Sequence, residues 1–182
     1  MSKSIIIAGA ALTVTLAATI GTLVAGAKPY RAVVDTTTID TVDLDRYMGR
    51  WYEIARFDHP FERDMELVTA VYTFNPDGTV RVANGGYNTR TGRYKESIGR
   101  ARRVEGRAGE LEVTFFLNFW SPYKILELDD DYTNVLIGGG SDRYLWILSR
   151  TPEVDEQSLR DLLRSATARG YDTSKLIWVR QM

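Results

Sequence analysis

Along the chain, polar and apolar positions follow one period up to about residue 150 and another after it. From Trp51 onward, short β-rich runs recur with turn signals between them: 51–57, 67–75, 79–84, 95–104, 111–116, 123–129, 133–138 and 144–150. Several alternate strictly, as in Leu111, Val113 and Phe115 against Glu112 and Thr114. Such alternation marks strands buried on one face. Pro76-Asp77-Gly78 and Glu105–Gly109 supply tight turns. Eight regular short strands predict an all-β fold, an antiparallel up-and-down barrel or a sandwich. Val154, Leu159, Leu162, Leu163 and Ala166 then recur at helical spacing. They predict one helix over 152–169, capped by Thr151 and begun by Pro152. Gly170 reads as its C-terminal stop. A last short strand is expected over 175–180. One apolar stripe on one helix has to be buried against the outside of the sheet.

The first 41 residues carry no such pattern. Residues 5–27 are uncharged and apolar, with Lys3 before them and Ala25-Gly26-Ala27 at the end. That reads as a signal peptide, or as an uncleaved membrane anchor over 1–27. Either predicts export to the cell envelope. Residues 28–41 read as a polar linker, and the folded domain is expected over 42–182.

Composition then removes chemistry. Of 182 residues, 44% are apolar and 26% charged, and the net charge is −1. A near-neutral chain carries no nucleic-acid footprint, although Arg100, Arg102, Arg103 and Arg107 cluster locally. With no cysteine there is no disulfide, thiolate metal site, cysteine nucleophile or lipoprotein anchor. With His59 the single histidine, a multi-histidine metal site is excluded too. Asp129-Asp130-Asp131 lacks the spacing of a Ca²⁺ loop and reads as a solvated turn. Gly138-Gly139-Gly140 lacks the Lys-Ser/Thr of a phosphate loop and reads as a hairpin. Asp58, His59 and Glu62 form the one acid–base cluster, without a convincing nucleophile. No cofactor or metal is expected, and no enzymatic activity.

Gly49-Arg50-Trp51-Tyr52-Glu53-Ile54-Ala55-Arg56 resembles the motif that opens the first strand of the lipocalins. The longer stretches 47–62 and 144–152 are similar to the bacterial outer-membrane (Blc-type) lipocalins and to apolipoprotein D. Asp129–Tyr132 resembles the second family motif and Arg150 the third, so the likeness runs from Tyr47 to Gln181. It implies an eight-stranded calyx with one outer helix. It also implies structural roles for Gly49, Trp51, Asp129, Tyr132 and Arg150, with Trp51 plugging the closed end under the Arg150 guanidinium. The absent cysteine departs from the lipid-anchored bacterial pattern.

Period-2 parity, started from Trp51, then sorts the interior. The inward set is Glu53, Ala55, Ala70, Tyr72, Val82, Asn84, Gly99, Ala101, Val113, Phe115, Tyr123, Ile125, Val135, Ile137 and Trp146. Its small members leave room, which predicts a hollow barrel with an apolar wall and a few polar handles. Phe57, Phe61, Tyr87, Phe119 and Trp120 fall at the open end as mouth or lid residues. The segment FFLNFWSPY, 115–123, is expected either to touch a membrane or to fold inward as a lid. The expected partner is one small hydrophobic molecule; the resemblance narrows it to a fatty acid, lysophospholipid or similar lipid. The oligomeric state stays open, a homodimer included. The rival readings are a lipid-modifying enzyme using Glu53, Tyr72 or His59, and a filled barrel acting as an envelope interaction module.

Overall fold

The computed structural model describes residues 33–182. The signal or anchor assignment, and residues 28–32 of the linker, lie outside them. A one-turn helix α1 (Leu44–Tyr47) precedes eight strands: β1 (Gly49–Arg56), β2 (Met65–Phe74), β3 (Val80–Asn88), β4 (Arg93–Val104), β5 (Arg107–Thr114), β6 (Ser121–Leu128), β7 (Asn134–Gly138) and β8 (Leu145–Ser149). Each pairs antiparallel with the next, and β8 pairs with β1, closing the barrel. Helix α2 (Glu156–Ala168) follows, and β9 (Ile177–Trp178) adds to β1. Closure removes the exposed edges that an open sheet of this size leaves.

Two apolar cores follow from strand alternation. The inner one holds Leu44, Tyr47, Trp51, Ala70, Tyr72, Val80, Val82, Ala101, Leu111, Ile125, Val135, Ile137 and Leu148. The outer one packs Ile54, Ala55, Phe57, Leu126, Leu136, Leu145 and Ile147 against Leu162, Ala166 and Tyr171. The predicted helical stripe thus meets the outside of β1, β6, β7 and β8, as expected.

Three sequence expectations need correction. Helix α2 begins at Glu156, not at Pro152, and its cap is Asp155, whose carboxylate accepts from the Ser158 N–H at 2.9 Å. Thr151 instead donates its hydroxyl to the Glu153 carbonyl and closes a turn. A carboxylate cap nearer the apolar stripe outcompetes the earlier threonine. Secondly, residues 33–41 are not a free linker. The Ile39 N–H donates to the Ile125 carbonyl at 3.0 Å, the Asp35 N–H donates to the Arg169 carbonyl at 2.8 Å, and Ile39 packs on the inner core. Thirdly, the α1 turn was not foreseen. Asp43 caps it, and Leu44 and Tyr47 are buried in the barrel floor.

Candidate functional site

The closed end is built around Trp51. Its indole Nε1–H donates to the Tyr47 carbonyl at 2.9 Å, and the Arg150 guanidinium lies 3.9 Å from its ring centroid. Arg150 also donates to the carbonyls of Tyr132 (3.2 Å), Arg50 (2.8 Å), Arg46 (2.7 Å) and Tyr47 (3.1 Å). Gly49 has φ +94°, which favours glycine, and a Cβ there would also crowd Arg150 Nη1 at 3.3 Å. Asp129 accepts from the backbone N–H groups of Thr133 (2.6 Å) and Asn134 (2.9 Å), which holds the turn before β7. Its oxygens serve the turn rather than a cation. Tyr132 accepts from the Asp43 N–H at 2.8 Å, tying that turn to α1, and Arg46 lies over its ring.

Above this floor lies a cavity of about 830 Å³, within the roughly 300–1,000 Å³ of small-molecule sites. The barrel is therefore not the filled one of the interaction-module reading. Of the residues expected inside, Glu53, Ala70, Tyr72, Val82, Asn84, Ala101, Val113, Phe115, Tyr123, Ile137 and Trp146 line it. Phe61 and Phe119 line it from the mouth.

The other assignments are corrected. Pairing of β1 with β8 shifts register between Glu53 and Ala55. This bulge puts Ile54 and Ala55 together on the outer face, under α2. Arg56 thereby turns inward and Phe57 outward, where it packs on Tyr171 rather than at the mouth. Gly99 lines no cavity because the Phe115 ring occupies the place of its missing side chain; a Cβ would come within 2.8 Å of that ring. Ile125 and Val135 are inward but wholly buried in the packed inner core, away from the cavity. Tyr87 alternates outward and packs edge-on against Tyr94. Trp120 also lies outside: Arg102, ion-paired with Glu112, covers its ring at 4.1 Å. The basic cluster is matched by acids on the outer wall, with Arg100 paired to Asp77 and Arg107 to Glu110.

The polar groups inside form two sets. At the floor, the Tyr47 and Tyr123 hydroxyls are 2.6 Å apart and those of Tyr72 and Tyr123 are 3.1 Å apart. Burial pushes all three phenols well up, so they stay neutral. On the mouth side, Arg56 donates to the Glu53 carboxylate at 2.6 Å and to the Glu62 carbonyl at 2.7 Å. Trp146 Nε1–H donates to the Glu62 carboxylate at 3.0 Å. Burial, then the charge of Glu62, raises the Glu53 carboxyl against the pull of Arg56; burial likewise raises Glu62. His59 is enclosed by the rings of Phe61, Tyr144 and Trp146. Burial, then Arg56, lowers its pKa to about 4, so the ring is neutral near pH 7. It does not line the cavity. Tyr47, Arg56, Met65, Val68 and Tyr144 were not singled out as interior residues. The bulge and α1, which place the first two, leave no mark in a period-2 pattern.

A closed eight-stranded barrel with a plugged floor, one open mouth and an apolar hollow defines a calyx of the kind that encloses a single small molecule. Comparison with known proteins agrees. The family model for the lipocalin-like domain matches residues 42–181. Over 147 residues the chain is 45% identical to the outer membrane lipoprotein Blc of Escherichia coli (strain K12), covering 80% of this chain and 82% of that protein. It is 28% identical over 147 residues to apolipoprotein D of Mus musculus, covering 75% of this chain and 76% of that protein. Insecticyanin of the tobacco hornworm Manduca sexta superposes with a TM-score of 0.68 at 18% identity, over 82% of this chain and 86% of that one, and shares the fold. The chain belongs to the lipocalin-like family, with homologues among the bacterial outer-membrane lipocalins.

Proposed function

We propose that this protein carries or stores a fatty acid, a lysophospholipid or a similar small lipid in the bacterial cell envelope, without chemical turnover. The observation that carries this reading is the cavity of about 830 Å³, lined largely by apolar side chains and open at one end. Burying an acyl chain there gives about 0.8 kcal/mol per CH₂. The envelope assignment is supported by the uncharged run 5–27 and by the outer-membrane naming of the bacterial relative. That relative is called a lipoprotein; this chain holds no cysteine to acylate. A catalytic reading gains little support from His59, which is walled off from the cavity by aromatic rings.

Delivery would use the mouth. Phe116, Leu117 and Phe119 protrude there, and Leu117 holds φ +49°, a left-handed conformation. The Thr114 hydroxyl, aimed at the Phe116 and Leu117 carbonyls, supports that turn. An apolar prong beside a lipid cavity suits contact with a bilayer while the ligand passes. Mass spectrometry of lipids extracted from the purified protein tests the cargo: an acyl lipid at near one per chain is expected, and none at all would refute the reading. Flotation with anionic liposomes, using protein starting at residue 28, tests the prong. Phe116→Ser with Phe119→Ser should reduce binding several-fold, and equal flotation would remove the docking role.

A further inference from the structure

Three phenols meet at the barrel floor, and their protons outnumber their bonds. Tyr47 on α1 is 2% exposed and Tyr72 on β2 is 5% exposed; the third, Tyr123, comes from β6. All three line the cavity. The Tyr123 hydroxyl lies 2.6 Å from that of Tyr47 and 3.1 Å from that of Tyr72. Among the described residues these hydroxyls have no other hydrogen-bond partner. Each bond uses one proton, so two bonds among three O–H groups leave one donor over. Lone pairs are left over too, since each oxygen can accept twice.

Packing holds the rings in place. Tyr47 lies 5.0 Å from Trp51 and 5.7 Å from Tyr72 between ring centroids, and Tyr72 meets Tyr123 edge-on at 6.2 Å. The same core gives Leu44, Val80, Val82 and Leu111 to the cavity lining, and none of these side chains can accept a hydrogen bond. A ligand chain ending in a methyl group would therefore cover a buried donor without satisfying it, which is unfavourable. A carboxylate at the floor would lack a counter-charge. Lys95, the cation that lines the cavity among the described residues, is paired in register with Gly86, four residues toward the mouth from Val82, the partner of Tyr72. That is roughly 13 Å along the strand. Arg150 does not line the cavity and gives its donors to backbone carbonyls. The group that fits the floor is neutral, accepts one hydrogen bond and can return one. A hydroxyl does both.

We propose that Tyr47, Tyr72 and Tyr123 form a subsite for a hydroxyl at the far end of an acyl chain, so that the barrel selects chain-end-hydroxylated lipids. This rests on the hydrophobic-ligand reading above and names the chain that the floor prefers. The acid head of the same molecule stays at the mouth, where Lys95 is exposed. Chain burial gives affinity, and the phenol cluster discriminates between chain ends.

The test pairs unbranched fatty acids of ten to sixteen carbons with their ω-hydroxy counterparts. The full-length protein is loaded with the neutral fluorophore N-phenyl-1-naphthylamine, and each acid, below its micelle concentration, competes for it at pH 7. A hydroxyl buried without a partner should weaken binding about tenfold or more. That loss is expected at chain lengths too short to reach the floor. At the length that does reach it, the hydroxy acid should bind at least as tightly as its parent. A Tyr47→Phe, Tyr72→Phe, Tyr123→Phe triple variant keeps the rings and removes every partner, so nothing is left unpaired. It should bind the parent acid within about threefold of wild type, and the matching hydroxy acid about tenfold more weakly than wild type does. The chain-length profile of the wild type tests the subsite even if the triple variant does not fold. Hydroxy acids tenfold weaker than their parents at every length overturn it and leave the hydrophobic-ligand reading intact. Equal weakening of both acids in a folded triple variant overturns it by placing the carboxylate, not the hydroxyl, at the floor. Failure of every probe to bind overturns both readings.

Discussion

The two ends of the barrel use aromatic residues in opposite ways. At the closed end Trp51 has no exposed surface, its N–H is bonded, and one guanidinium fixes it to four backbone carbonyls. At the open end Phe116, Leu117 and Phe119 are 68%, 73% and 72% exposed, and what holds them is a short local turn. Burial with satisfied polar groups makes an aromatic residue a stabilising plug. Exposure beside a cavity leaves it little part in stability, so the fold should scarcely register its loss.

Substitutions at the two ends should therefore separate stability from binding. Trp51→Ala should lower the unfolding free energy by about 3–5 kcal/mol, as large core truncations do. Urea denaturation measures it, and a loss below about 1 kcal/mol would mean that the floor is not the anchor. Arg150→Ala should cost about 2–3 kcal/mol, because four backbone carbonyls lose a charged donor and the Trp51 ring loses its cover. Arg150→Lys should recover less than half of that, since an ammonium cannot fork across four acceptors. Full recovery by lysine would make the interaction merely one of charge.

His59 lies between these extremes and adds a pH signature. Its pKa is about 4 folded and about 6.5 unfolded, so across that interval the unfolded chain binds more protons. Stability should fall on acidification from pH 6.5 to 4 by on the order of 2 kcal/mol from this residue. His59→Phe should flatten that part of the profile, and an unchanged slope would assign the acid sensitivity elsewhere. Ala101→Trp or Ala70→Phe should leave a folded barrel, at a cost of about 1–3 kcal/mol for overpacking, yet weaken binding of a fluorescent fatty acid at least tenfold. Unchanged affinity in both would misplace the cavity. The smallest stability effect, about 0.5 kcal/mol or less, is expected from Phe116→Ser with Phe119→Ser, and a larger loss would make the prong part of the fold.

Much of the site was legible where alternation runs unbroken. On β2 and β3, the parity that selects Ala70, Tyr72, Val82 and Asn84 survives in the structure because register along those residues is continuous. On β1 it fails beyond Glu53, since a single bulge reverses every later side chain. Ala55 is expected in the interior for that reason, and Phe57 at the mouth because it opens the loop after β1, yet both belong to the packing under α2. Trp120 misled differently. Its segment is apolar as a whole, but the choice of face depended on Arg102 of a neighbouring strand, which no local pattern reveals.

The sequence by itself determined the eight strands, the outer helix, the Trp51–Arg150 floor and the absence of thiol chemistry. These depend on local period, on motif residues and on which atoms the chain contains at all. Tertiary structure alone decided where the parity reverses, how residues 33–41 dock, and that Arg56 meets the Glu53 carboxylate and the Glu62 carbonyl while Trp146 meets the Glu62 carboxylate. Barrel closure brings together β1, β8 and the loop between β1 and β2, and burial there depends on the side chains facing one another across the hollow. Charge balance and pKa follow from that three-dimensional neighbourhood, which a one-dimensional pattern does not encode.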